Sequence, residues 1–142
     1  MKHLSDNEKD TSRIAAALAE DLQPGNVLLL HGTLGMGKTV FARALIRALT
    51  GRPDIDVPSP TFTLVQTYDG LICPIYHYDL YRIEHPEEIF ELGWDDALAD
   101  GITIVEWPDR LGSYKPRLSL DITLSNADND PNKREILIET NA

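Results

Sequence analysis

Residues 32–39 read Gly32-Thr33-Leu34-Gly35-Met36-Gly37-Lys38-Thr39, a match without mismatch to G-x-x-x-x-G-K-[ST]. Each residue type in that pattern has a physical task. Glycines let the backbone take positive φ, so that successive N–H groups converge on phosphate oxygens. A helix that starts at the end of the loop adds its positive N-terminal dipole. Lys38 would neutralise β- and γ-phosphate oxygens, and the Thr39 hydroxyl would ligate Mg²⁺. The expected ligand is therefore ATP with Mg²⁺, contacted along the whole run from Gly32 through Val40. Background glycine usage makes a chance match in a chain of this length about a one-in-200 event. The motif also lies between a buried strand and an amphipathic helix, where its mechanics require it.

Phosphate chemistry of this kind needs a carboxylate at the end of a buried strand, to order the Mg²⁺ shell or to position and deprotonate water. Two residues qualify. Glu106 closes the apolar run Ile102-Thr-Ile-Val, and Asp79 lies within His77-Tyr-Asp-Leu-Tyr-Arg82. Spacing does not divide the two tasks between them, and either could instead be a capping or ion-paired acid. Thr61, in Pro58-Ser59-Pro60-Thr61, could bring a hydroxyl to Mg²⁺ or the γ-phosphate, with a plain Ser-Pro turn as the alternative. Trp107 follows Glu106 and on local grounds reads as packing beside the site. Arg82 could meet phosphate or pair with Glu87 and Glu88. His31 reads as strand-end packing, and the four histidines and lone Cys73 have no metal-site spacing.

The elements that must position these groups are legible as periodicities. Ser5-Asp-Asn-Glu8 reads as a capping box, with Ile14, Leu18 and Leu22 at helical spacing and a stop near Gln23, before Pro24-Gly25. Residues 26–31 (NVLLLH) form a nearly continuous apolar run, as in a strand buried on both faces. A helix is predicted from Gly37 to Leu49, with Phe41, Leu45 and Leu49 along one face. Residues 61–68 and 71–79 read as a hairpin closed at Asp69-Gly70. Residues 86–99 suggest one or two short acidic helices broken at Gly93, and 102–106 a buried strand. A final hairpin pairs 117–124 with 134–140 across residues 126–132. Helices between early strands, then hairpins, predict an α/β sandwich of P-loop type: one domain over 1–142, with a mixed sheet flanked by helices.

Bulk properties bound the rest. The 142 residues suit one domain with a real core. One cysteine permits no intrachain disulfide, no apolar run approaches about 20 residues, and the first ten residues are charged. A cytoplasmic protein without membrane attachment is expected. With 23 acidic and 13 basic side chains the formal charge is −10. Such a surface repels nucleic acid phosphates unless its basic residues cluster, which they do not along the sequence.

The combination GTLGMGKT, VPSPTFTLVQTY, HYDLYRI, ELGWDDAL and ITIVEWPDR resembles the TsaE (YjeE) family, over roughly residues 5–112. The P-loop is widely shared; SPTFTLV, H-x-D-L-Y-R and V-E-W-P together are specific. His31 and Met36 depart from common family residues, and the tail after Leu111 is not diagnostic. The resemblance implies a bacterial ATPase of the pathway that makes N6-threonylcarbamoyladenosine at position 37 of tRNA. It implies action with TsaB and TsaD, with tRNA handled mainly through those partners. It also implies Lys38, Asp79 and Glu106 as catalytic groups, Thr39, Thr61, Asp79 and Glu106 around Mg²⁺, and Trp107 in the active site. The competing expectation is a small P-loop phosphotransferase acting on a small molecule, although 142 residues leave little chain for a lid and acceptor pocket. A GTP-dependent module lacks an N-K-x-D base-reading motif here.

Overall fold

The computed structural model describes residues 1–33 and 35–141. Its elements are β1 (Lys2–Ser5), α1 (Glu8–Ala19), β2 (Val27–His31), α2 (Lys38–Thr50), β3 (Val65–Asp69), β4 (Pro74–Asp79), α3 (Trp94–Asp100), β5 (Ile102–Glu106), β6 (Ser119–Ala127) and β7 (Asp130–Asn141). A 3₁₀ segment, Pro86–Leu92, precedes α3, and another, Pro108–Tyr114, follows β5. All seven strands join one sheet, in the order β1-β7-β6-β2-β5-β4-β3. The inner strands β6, β2, β5 and β4 are parallel, whereas β1, β7 and β3 are held by antiparallel pairing. This is the mixed α/β arrangement expected.

Strand alternation sorts the core onto two faces. Leu28, Leu30, Ile75, Ile104 and Ile122 meet Phe41, Leu45 and Ile46 of α2 and Ala15 of α1. On the other face Val27, Leu29, Tyr78 and Val105 meet Trp94, Ile89 and Leu111. Burial on both faces explains why β2 and β5 read as nearly continuous apolar runs. It also places the ELGW segment: Trp94 is core, its ring edge-on to Tyr78 at 5.2 Å.

Five boundaries differ from expectation. Ser5 does not cap α1, because it ends β1 and its backbone pairs with Arg134. The cap is Asn7, whose Oδ1 accepts from Asp10 N at 2.9 Å, while Ser5 Oγ bonds Thr11 Oγ1 at 2.7 Å. The regular helix stops at Ala19, and bonds three residues apart tighten the chain through Leu22. β3 begins only at Val65, since Leu64 is left-handed (φ 72) and donates to Pro60 O. Asp69 pairs with Pro74, so the connection spans residues 70–73 rather than turning at Asp69-Gly70; Leu71 N is drawn to Leu49 O at the end of α2. The last hairpin instead closes more tightly than expected, at Asp128 and Asn129, both with the positive φ of a two-residue turn.

Candidate functional site

In parallel sheets of this kind, ligands meet the carboxyl ends of the strands. Here β2 ends at His31 and runs into the glycine loop, while β4 and β5 end at Asp79 and Glu106. The register pairs Asp79 with Glu106, and Glu106 with Leu30. Two strand-end carboxylates therefore stand side by side next to the loop. Both are almost fully buried.

The loop hands over to α2 at Gly37, whose φ of 93 suits glycine and whose following N–H groups begin the helix. α1 shows the ordinary solution to the four unpaired N–H groups at a helix start: an asparagine cap and acids in the first turn. α2 has neither a side-chain cap nor an acid in its first turn among the described residues. Its start carries uncompensated positive charge directed at the cavity, the arrangement that suits an anion. Gly32 is required for a different reason. A Cβ there would lie 2.8 Å from Leu124 O, so the loop seats against β6 only without one.

Lys38 is buried and turned back on its own loop, donating to Gly32 O at 2.7 Å. Its ammonium lies 3.3 Å from the centre of the Trp107 ring. Burial pushes Lys38 below the usual lysine range, against the opposing pull of Glu106, Asp79 and Asp109. Trp107 is itself left-handed (φ 59), and its ring meets Tyr81 at 4.8 Å. That backbone twist, directly after β5, carries the indole over Lys38 at the cavity edge.

Each carboxylate holds a hydroxyl. Thr39 Oγ1 donates to Glu106 Oε1 at 3.1 Å, and Thr61 Oγ1 donates to Asp79 Oδ2 at 3.1 Å. The second oxygens are also engaged: Asp79 Oδ1 by Tyr81 N at 3.0 Å, and Glu106 Oε2 by His77 Nε2 at 2.6 Å. Ser59 Oγ meets Thr61 Oγ1 at 2.8 Å, which ties the Ser-Pro loop to the site. Two hydroxyls and two carboxylates form an all-oxygen donor set. It fits Mg²⁺, which takes one or two carboxylates and completes its shell with water and substrate phosphates.

These groups line a cavity of about 960 Å³, near the upper end for small-molecule pockets. Gly35, Met36, Gly37 and Val40 line it beside Lys38 and Thr39. Gly32 and Thr33 instead shape the loop, accepting from Lys38 Nζ and Met36 N respectively. Leu34 lies outside the described residues. Thr61, Asp79, Glu106 and Trp107 all reach the cavity. Among the described residues Arg82 meets neither phosphate loop nor acid: its guanidinium lies 4.7 Å from the Phe62 ring. His31 is more than strand-end packing, because its Nε2 meets Asp121 Oδ1 at 2.9 Å.

Sequence reasoning missed four contributors. His77 lies two residues before Asp79 on β4, and strand alternation alone would have put both on one face. Arg134 comes from β7 and donates to Met36 O and Gly35 O, both at 3.2 Å. No local signal links residue 134 to residue 36. Asn7, the cap of α1, and Thr11 within it also line the cavity, likewise through tertiary folding.

Comparison with known proteins identifies the family. The sequence model of the family described as "Threonylcarbamoyl adenosine biosynthesis protein TsaE" matches residues 5–136, past the last diagnostic motif near residue 112. The chain is 40% identical to a Rickettsia conorii protein named "tRNA threonylcarbamoyladenosine biosynthesis protein TsaE", over 98% of this chain and 78% of that one. It is 38% identical to the Bacillus subtilis protein of the same name, over 92% and 79%. The crystal structure of Bacillus subtilis YdiB superposes with a TM-score of 0.77 at 31% identity, covering 99% of this chain and 84% of that one. The chain belongs to the TsaE family.

Proposed function

We propose that the chain binds ATP with Mg²⁺ in this cavity and hydrolyses it, as the ATPase of the machinery that makes threonylcarbamoyladenosine on tRNA. The chief support is the uncapped start of α2 beside two strand-end carboxylates, each already holding a threonine hydroxyl. The N–H groups of the loop and of α2 bind phosphate oxygens, and Lys38 leaves Gly32 O to join them. Thr39 and Thr61, with Glu106 and Asp79, are the groups that would hold Mg²⁺. When bound, Mg²⁺ neutralises charge on the β- and γ-phosphate oxygens. The two carboxylates cover both remaining tasks, ordering the cation's shell and receiving the proton of the attacking water. Trp107 and Tyr81 wall the phosphate end of the cavity and exclude bulk water.

The pathway assignment is supported by the family match and by the names of the relatives. Within it, the chain acts with TsaB and TsaD, supporting their assembly when ATP is bound and resetting the complex on hydrolysis. A net charge of −10 suits a subunit that reaches tRNA through its partners. Mg²⁺ dependence of ATP affinity tests the site directly. Titration calorimetry should find tighter binding with Mg²⁺, and most of that gain should vanish in Thr39→Val. Equal affinity with and without the cation in the unsubstituted protein would contradict the assignment.

A further inference from the structure

His77 has no surface exposure and lies on β4 between Gln66 of β3 and Ile104 of β5, behind the carboxylates rather than at the cavity. Alternation puts Ile75, His77 and Asp79 on one face, and the register sets His77 beside Ile104, one step behind Glu106 on that face. An aliphatic side chain would pack there without a polar group to satisfy. The imidazole has one described partner, Glu106 Oε2, at 2.6 Å from Nε2. Nδ1 is buried with no hydrogen-bond partner among the described residues. Nε2 therefore carries the proton, since a carboxylate oxygen only accepts.

We propose that His77 is a positioning residue for the ATPase reaction, its Nε2–H holding Glu106 so that the other carboxylate oxygen stays on Thr39. The proposal rests on the ATPase reading above. Thr39 alone would leave Glu106 free to turn about its χ angles, because a single hydroxyl contact fixes one oxygen. Gripped on both oxygens, from behind by His77 and in front by Thr39, the carboxylate has one orientation before any ligand arrives. Orientation fixed in advance adds to the rate of the chemical step more than to nucleotide affinity. A packing role alone would be met by an aliphatic residue of similar volume. A positioning role requires an N–H at the Nε2 position, which glutamine supplies and leucine does not.

The test compares His77→Leu, His77→Gln and each combined with Glu106→Gln, in kcat, in ATP affinity and in long-range ¹H–¹⁵N spectra of the ligand-free protein. His77→Leu should lower kcat at least tenfold while ATP affinity changes less than threefold. His77→Gln should recover most of that loss. His77→Leu should cost nothing further on a Glu106→Gln background, because the effect passes through the carboxylate. In the unsubstituted protein the imidazole spectrum should show the Nε2–H tautomer, and it should change in Glu106→Gln. Equal kcat in the leucine and glutamine variants, or an additive loss on the Glu106→Gln background, would overturn the proposal while leaving the ATPase reading intact. An Nδ1–H tautomer, or a spectrum indifferent to Glu106→Gln, would overturn it without reference to turnover. Absence of hydrolysis by the unsubstituted protein would overturn the ATPase reading and this proposal with it.

Discussion

At the scale of single residues, the site is an exchange of partners waiting for a polyanion. Lys38 rests on Gly32 O and Trp107, and both hydroxyls rest on carboxylates. A triphosphate offers Lys38 a stronger partner, since a phosphate oxygen brings a full negative charge where the Gly32 carbonyl brings only a partial one. Lys38→Ala should therefore weaken ATP binding by about 10- to 100-fold or more, as read by calorimetry. The buried ammonium loses its proton below the usual lysine range in the free protein. Bound phosphate favours the charged form, so binding takes up a proton once the free protein has begun to lose it. ATP affinity should accordingly fall as pH rises through the depressed Lys38 value, by up to tenfold per pH unit; a flat alkaline profile would place Lys38 away from the phosphates. The residues that could be read from sequence are those whose neighbours define a strand end or a loop, such as Asp79, Glu106 and Lys38. His77 and Arg134 escaped notice because their partners lie far along the chain, brought near by register and hairpin pairing.

At the scale of elements, the loop's position depends on β6 as much as on β2. Gly32, with φ 149, lies against the Leu124 carbonyl. Gly32→Ala should cost about 1–3 kcal/mol of stability through overpacking, and should weaken ATP binding by displacing the loop; thermal melts and calorimetry read the two effects separately. Asn7 caps α1 and also lines the cavity. Asn7→Ala should lower stability by about 1 kcal/mol, visible as a fall of a few degrees in Tm. Elements with strong period, such as β2, α2 and β5, were legible to within about one residue. β1 was not, because its four residues carry one large apolar side chain, itself exposed, and the strand exists by pairing with β7. The capping and turn errors share a cause: Ser5 and Leu71 are claimed by distant backbone partners that outweigh local preference.

At the scale of the whole molecule, the sheet gathers chemistry at the carboxyl ends of its parallel strands while the chain carries net charge −10. The chain alone should show little retention of tRNA at physiological ionic strength, since nonspecific binding needs cations against phosphate. A filter-binding or mobility-shift assay reads this, and tight binding by the isolated chain would contradict the proposed division of labour with TsaB and TsaD. Turnover by the chain alone should fall below about 1 s⁻¹, the low end of typical enzyme rates, because P-loop switches commonly gain orders of magnitude from a partner's charge. The most direct measurement is phosphate release from ATP by the chain alone, by the chain with TsaB and TsaD, and by Lys38→Ala in both settings. A slow basal rate that rises with the partners and disappears in the variant is the expected result. Hydrolysis that persists undiminished in Lys38→Ala, or none in any setting, would contradict the assignment of this cavity as an ATPase site.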